Sequence, residues 1–375
     1  MRFLSCGGEL NHHGKPVCDC LYNILGNNFI RITTKKISNE RINLGYTEKE
    51  DIPYNSVIEN CSQEEIRDIV SWADVVDFGS APEEYLHEAV SQGKIVFIRL
   101  ERLFKEGYLK ILHPKIFLRY YRRYFRYRKN KNVYFLCTSA YAASDLAKIG
   151  IRSERVLTWA YCPEFKELES DAFERKCDKL NLLWCGRLIS WKHPEIAVKI
   201  AHELKKLNCN FELKIIGDGP LKEKLAAMIK NFNLSSEVNL CGAVEASLVR
   251  QHMQNADVFL TTSDHNEGWG VVVNEAMSSG CAVFAAKEMG AVPTLIKDGE
   301  NGFHITAGKE EEVARKITEL FNSPEKLKNF KTAAYETIKT GFTPEIYAKV
   351  FIEMADEALN GEVSDRNGLG NKEFK

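Results

Sequence analysis

The stretch Asp257–Val283 (DVFLTTSDHNEGWGVVVNEAMSSGCAV) constrains the fold more than any other part of this 375-residue chain. An apolar run, Val258–Thr261, breaks into the polar turn Ser263-Asp264-His265-Asn266, and a Glu-Gly-Trp-Gly corner leads into a segment of helical period. Val272, Ala276 and Met277 share a face of that segment, Gly280 ends it, and a second apolar run opens at Ala282. Strand, corner, helix and strand make one βαβ unit of a parallel sheet, and such sheets bind ligands beyond the carboxyl ends of their strands.

Two acids bracket the corner, Glu267 before the helix and Glu275 eight positions later. With the helix starting near Gly268, a rise of about 1.5 Å per residue separates them by roughly 10–12 Å along the axis. That is the reach of a sugar plus a diphosphate or ribose. Gly268 and Gly270 admit close approach of backbone to a ligand, and the helix start offers unpaired N–H groups. The competing reading is a helix with one capping and one solvated glutamate.

The same rhythm runs along the whole chain. Strands are expected at 3–6, 29–33, 74–78, 95–100, 133–138 and 156–159, then at 182–185, 211–216, 238–241, 258–261, 282–285 and 303–306. Helical periods fall between them, at 17–25, 64–72, 83–92, 114–128 and 140–149, then at 194–207, 221–232, 247–255, 271–279 and 310–321. Residues 34–60 show no clean period and are expected to be irregular. The charged stretch Cys162–Lys179 marks a link between an N-terminal domain, 1–165, and a C-terminal domain, 166–342. An amphipathic helix at 343–359 is expected to cross back onto the first domain, and residues 360–375 have little to bury and are expected to be disordered. The fold class is α/β, two doubly wound parallel sheets.

Composition narrows the function. A net charge of −1 with 44% hydrophobic residues describes a soluble protein and excludes a uniformly basic nucleic-acid binder. No apolar run approaches the roughly 20 residues that cross a bilayer, and the N-terminus lacks the apolar core of a secretion signal. Eleven cysteines without a regular framework suit a reducing compartment, the cytoplasm; Cys137, Cys185 and Cys241 sit in apolar strands and read as small core residues. Cys6, His12, His13, Cys18 and Cys20 match no usual zinc-ligand spacing, and no Asp-x-Asp pair occurs, so no metal is expected.

One segment departs from that balance. Between Arg99 and Lys131 stand twelve lysines and arginines against Glu101 and Glu106. Phe117, Tyr121, Tyr124 and Phe125 lie on one helical stripe, with Arg119, Arg122, Arg123 and Arg126 on the neighbouring face. Such a helix buries its aromatics and solvates its arginines, lies on an anionic membrane, or binds nucleic acid. No nucleic-acid module accompanies it. The reading taken is burial on one side and contact with a membrane or lipid phosphate on the other.

Six blocks in order carry a family resemblance: Cys185-Gly186-Arg187-Leu188 with Lys192, Ile216-Gly217-Asp218-Gly219-Pro220, Gly242-Ala243-Val244, Glu267-Gly268-Trp269-Gly270, Glu275-Ala276-Met277 with Gly280, and Asp298-Gly299-Glu300-Asn301-Gly302-Phe303. Together they resemble the retaining nucleotide-sugar glycosyltransferases of family four. The resemblance implies the GT-B fold, two Rossmann-like domains facing a cleft. It also implies transfer from a nucleotide-diphosphate sugar to a hydroxyl of a saccharide or lipid-linked acceptor in surface polysaccharide synthesis, without metal or cofactor. Glu275 would accept from the ribose hydroxyls and Glu267 would hold the donor sugar. Arg187 and Lys192 would stabilise the leaving diphosphate. Gly268, Trp269 and Gly270 would contact the donor, Gly217, Gly219, Gly242 and Val244 would lie along the nucleotide, and the pair Gly7-Gly8 against the diphosphate or acceptor. Lys287–Pro293 resembles a family Gly-Gly loop, with Ala291 and Thr294 in place of the usual residues. Where many relatives carry a histidine this chain has Arg99, Glu101 and Arg102, so Arg99 or Glu101 would meet the donor or acceptor. Two other classes stay open at this point: a nucleotide-sugar epimerase of the same fold, and a non-catalytic binding subunit.

Overall fold

A computed structural model describes residues 1–36, 52–105, 107–152, 154–174 and 178–361. These fall into two compact units: the first takes the chain up to Glu164 and again from Gly341, and the second is Phe165–Thr340.

The first unit is built on a seven-stranded parallel sheet of β1 (Phe3–Gly7), β2 (Phe29–Thr33), β3 (Asn55–Val57), β4 (Val75–Phe78), β5 (Ile95–Leu100), β6 (Val133–Thr138) and β7 (Val156–Trp159). Their order, β3-β2-β1-β4-β5-β6-β7, grows outward from β1 and then restarts on its other side, so β1 and β4 flank the switch point. β1, β4 and β6 are buried along their whole length, as expected of strands covered on both faces. Between the strands lie α1 (Lys15–Leu25), α2 (Gln63–Trp72), α3 (Glu83–Ser91), α4 (Pro114–Arg123) and α5 (Ala140–Lys148). Ser62 and Glu65 start α2 as a reciprocal capping box.

The second unit has six parallel strands, β8 (Leu180–Cys185), β9 (Phe211–Ile216), β10 (Val238–Gly242), β11 (Val258–Thr261), β12 (Ala282–Ala286) and β13 (Phe303–Ile305), in the order β10-β9-β8-β11-β12-β13. Its switch point lies between β8 and β11. The helices are α6 (Pro194–Lys206), α7 (Lys222–Asn231), α8 (Ala246–Gln254), α9 (Val272–Ser278), α10 (Val292–Leu295), α11 (Glu310–Phe321) and α12 (Pro324–Gly341). Sequence periodicity does not anticipate α12, which places Lys331 in the core, 3.9 Å from the equally buried Asp257. The chain then rejoins the first unit as α13 (Pro344–Asn360), whose Phe351 ring packs against Phe3, Phe97 and Trp159.

Three sequence expectations change. Within the stretch expected to be irregular, Asn55–Val57 pairs with β2 as an edge strand; residues 37–51 lie outside the described residues. The helix expected to reach residue 128 stops at Arg123, because Tyr124 leaves the helical region (φ −129°) and a 3₁₀ turn follows. The aromatic stripe moves with it: Tyr120, Tyr124 and Tyr127 are buried, while Phe117 is 55% and Tyr121 43% exposed. Cys241 is exposed rather than core, since β10 is an edge strand whose pairing with β9 shifts register between Leu240 and Gly242. Residues 362–375, which hold the expected tail, lie outside the described residues.

Candidate active site

The carboxyl ends of β8 and β11, at the second unit's switch point, carry Arg187, Lys192 and Glu267. After Cys185 the chain turns through Gly186 and Arg187 into a short 3₁₀ segment, Ser190–Lys192. His193 adopts a left-handed conformation (φ 46°) before Pro194 opens α6. This turn aims Lys192 across to the corner after β11, where its Nζ donates to Glu267 Oε2 in an ion pair with both side chains four-fifths buried.

Backbone and side chains stitch the two loops together. Thr262 Oγ1 donates to the Lys192 carbonyl at 2.7 Å and accepts from Trp184 Nε1 at 2.9 Å. Asp264 N donates to the Trp191 carbonyl at 2.9 Å. The His193 ring bridges Asp264 Oδ2 at 3.1 Å and Glu195 Oε1 at 3.2 Å. Burial works to raise the Asp264 carboxyl, but hydrogen bonds from Asn266 N and His193 outweigh it and hold the group below its usual range. Sequence reasoning missed Thr262, Asp264 and His193. Their only trace is a Lys-His-Pro helix start and a run of polar residues directly after an apolar strand.

The corner itself differs from the sequence expectation. α9 begins at Val272, not near Gly268, and has seven residues, so Glu267 belongs to a loop and no long helix lies between the acids. Gly270 takes φ 92°, and a Cβ there would come within 2.4 Å of Met289 Cε. Trp269, expected as a donor contact, is a core residue: its ring is buried and Nε1 donates to the buried Asn274 Oδ1 at 2.8 Å. Gly268 faces Gly290, where a Cβ would lie 1.8 Å from the Gly268 carbonyl oxygen, and Ala291 N donates to the Trp269 carbonyl at 2.9 Å. The Lys287–Pro293 loop thus braces the corner through its glycine.

Gly217 and Gly219 also pack against protein. Both have positive φ (137° and 151°), and a Cβ would fall 1.8 Å from the Gly186 carbonyl oxygen or 2.7 Å from that of Leu188. They let the loop after β9 lie on the loop after β8, with Leu188 N donating to the Asp218 carbonyl at 2.9 Å and Gly217 N to that of Gly242 at 2.8 Å. Val244 is half-buried just beyond β10.

Glu275 stands half-buried on α9. Burial pushes its carboxyl up to about 7, against the lowering pull of Arg250. Burial likewise pushes the Cys185 thiol up to about 12, with Glu275 raising it and Lys192 lowering it. Both charges therefore act on one sulfur at the end of β8. The structure brings Glu267 and Lys192 into contact there, and Glu275 stands on α9, the helix that follows the corner. Arg187 is exposed, its guanidinium 5.6 Å over the Trp191 ring.

In the first unit, Gly7 closes β1 and Gly8 N donates to Ser80 Oγ at 3.0 Å. Arg99 pairs with Asp77 at 2.8 Å. Glu101 accepts from Lys105 at 2.5 Å and from the Tyr161 hydroxyl at 3.0 Å. Arg119, Arg122 and Arg126 are exposed, but Arg123 is not part of that surface: its Nη2 donates to the Gly79 carbonyl.

Comparison with known proteins covers the second unit of the chain. Residues 165–337 match the family described as Glycosyl transferases group 1. The chain is 27% identical over 182 residues to the amylovoran biosynthesis glycosyltransferase AmsK of Erwinia amylovora, covering 47% of this chain and 44% of that protein. It is 26% identical over 212 residues to the alpha-monoglucosyldiacylglycerol synthase of Acholeplasma laidlawii, covering 56% and 52%. The chain thus spans about half the length of the curated relatives it matches. The crystal structure of Anabaena Alr3699/HepE in complex with UDP superposes with a TM-score of 0.71 at 16% identity, covering 95% of this chain and 100% of that one.

Proposed function

We propose, from the match of residues 165–337 to group 1 glycosyltransferases, that the protein moves a sugar from a nucleotide-diphosphate donor to a hydroxyl of a saccharide or lipid-linked saccharide, with retention of configuration, in surface polysaccharide synthesis. One observation carries the reading: the Lys192–Glu267 ion pair joins the loops after β8 and β11, on the switch point where a parallel sheet binds its ligand. Lys192, with Arg187 beside it, offsets the charge that develops on a departing diphosphate. Glu267, released from Lys192 by the incoming phosphate, holds donor hydroxyls and stabilises an oxocarbenium-like transition state. Glu275 accepts from the ribose. These two cations take the place of a metal, and a donor phosphate oxygen takes the acceptor proton.

The reading extends to the membrane. Tyr108, Leu109, Leu112, Phe117, Leu118 and Tyr121 are all exposed within fourteen residues, interleaved with Lys110, Lys115, Arg119 and Arg122. Apolar side chains among cations match the inner face of an anionic membrane, where a lipid-linked acceptor would be met. Among the described residues no helix is long and apolar enough to cross a membrane.

Thermal-shift titration with UDP, GDP and ADP tests the donor site: one of them raises the melting temperature of the native chain, and Lys192→Ala abolishes the rise. No shift with any of the three removes the reading. Anomeric NMR of the transfer product tests retention.

A further inference from the structure

The first unit carries a charged site of its own. A cavity of about 340 Å³ lies at the carboxyl ends of β1, β4, β5, β6 and β7, lined by Gly7, Gly79, Arg99, Thr138 and Trp159 among others. It falls on that sheet's switch point between β1 and β4, and its volume lies in the range of small-ligand pockets.

Strand register builds the charged wall. Arg31, Ser5 and Asp77 stand side by side across β2, β1 and β4, so their side chains leave one face of the sheet. Arg31 Nη1 donates to Ser5 Oγ at 2.9 Å, and Ser5 donates to Asp77 Oδ2 at 2.8 Å. On β5 Arg99 lies two residues beyond Phe97, the neighbour of Asp77, and reaches back to Asp77 Oδ1 at 2.8 Å. Arg123 enters from the end of α4, its guanidinium 4.8 Å over the Phe78 ring. Gly7 makes room for this arrangement, since a Cβ there would come within 2.5 Å of Arg31 Nη2.

Three guanidinium groups line the cavity, and Asp77 is the carboxylate that Arg99 meets directly and Arg31 through Ser5. Of the other lining acids, Glu101 is held by Lys105 and Tyr161, and Glu9 lies beyond β1. Arg31 is only 5% exposed, yet its Nε has no hydrogen-bond partner among the described residues, and neither has the buried Nε of Arg123. Buried guanidinium donors without acceptors are costly, and their planar forks match an oxyanion.

We infer that this cavity binds the oxyanion of an acidic acceptor, a phosphate or a carboxylate, clamped by Arg31, Arg99 and Arg123. Only the word acceptor rests on the transferase reading; the anion site stands on the geometry of the first unit.

Calorimetric titration of the full chain with inorganic diphosphate and with glucuronate tests it, in an Arg187→Ala/Lys192→Ala background that silences phosphate affinity in the second unit. At least one probe binds, and Arg123→Gln weakens it about tenfold or more, with Arg123→Lys recovering part of the loss. Diphosphate alone identifies a phosphate acceptor, and glucuronate alone an acidic sugar. In an otherwise native chain Arg123→Gln leaves nucleoside diphosphate affinity within about twofold, which also shows that the variant folds. Absence of heat from both probes, or equal affinity in Arg123→Gln, overturns the inference. Failure of nucleoside diphosphates to bind would remove the proposed function and leave this titration to decide the anion site.

Discussion

Lys192 and Glu267, seventy-five positions apart, close an ion pair across the second unit's switch point. On the proposed function, an incoming diphosphate would compete with Glu267 for Lys192, and Glu267 would be freed as the phosphate arrives.

This competition predicts a split. Glu267→Gln should bind nucleoside diphosphate several-fold more tightly, because Lys192 loses its internal partner, while turnover falls on the order of 10²-fold. Lys192→Ala should weaken both. Calorimetry beside initial-rate measurement reads the two effects, and parallel losses in Glu267→Gln would reduce that residue to a structural role.

Glu275 supplies a pH dependence. Its carboxyl, ordinarily at 4.5, is raised to about 7 in the folded chain. Between those values the folded state binds more protons than the unfolded, so this group's contribution to stability falls as pH rises through the window. Glu275→Gln removes the titration. The melting temperature of the variant minus that of the native chain should therefore grow from pH 5 to pH 7 and then level off; a flat difference would contradict the raised value.

Trp269→Phe puts a smaller ring in a buried site and removes the hydrogen bond that Trp269 Nε1 donates to Asn274 Oδ1. The expected cost is about 1–3 kcal/mol of unfolding free energy, measured by urea denaturation. A neutral result would remove Trp269 as a brace of the corner.

At the exposed basic surface, Arg119→Glu/Arg122→Glu/Arg126→Glu should lower sedimentation with anionic vesicles on the order of 10²-fold, taking about 1 kcal/mol per lost cation. Neutral vesicles serve as the control. Equal sedimentation of variant and native chain with anionic vesicles would detach the membrane from the function.

The strand pattern was legible because both sheets are parallel and buried, which writes each central strand as a short apolar run between turn residues. Loop glycines were legible in the sequence, but not what approaches them. Gly217 receives the Gly186 carbonyl and Gly290 that of Gly268, both protein backbone rather than ligand. The end of α4 was misread because helical period assigns a face only while the helix lasts, and Tyr124 breaks it.

By itself the amino-acid order determined the alternation of strands and helices, the two doubly wound parallel sheets it implies, and the residue types that could meet a charged sugar donor. Only the tertiary structure decided which charges meet: Lys192 with Glu267, and Arg31 with Asp77 through Ser5. Local periodicity records which face of an element is buried. Pairing across strands depends on register between segments dozens of residues apart, and no local pattern carries it.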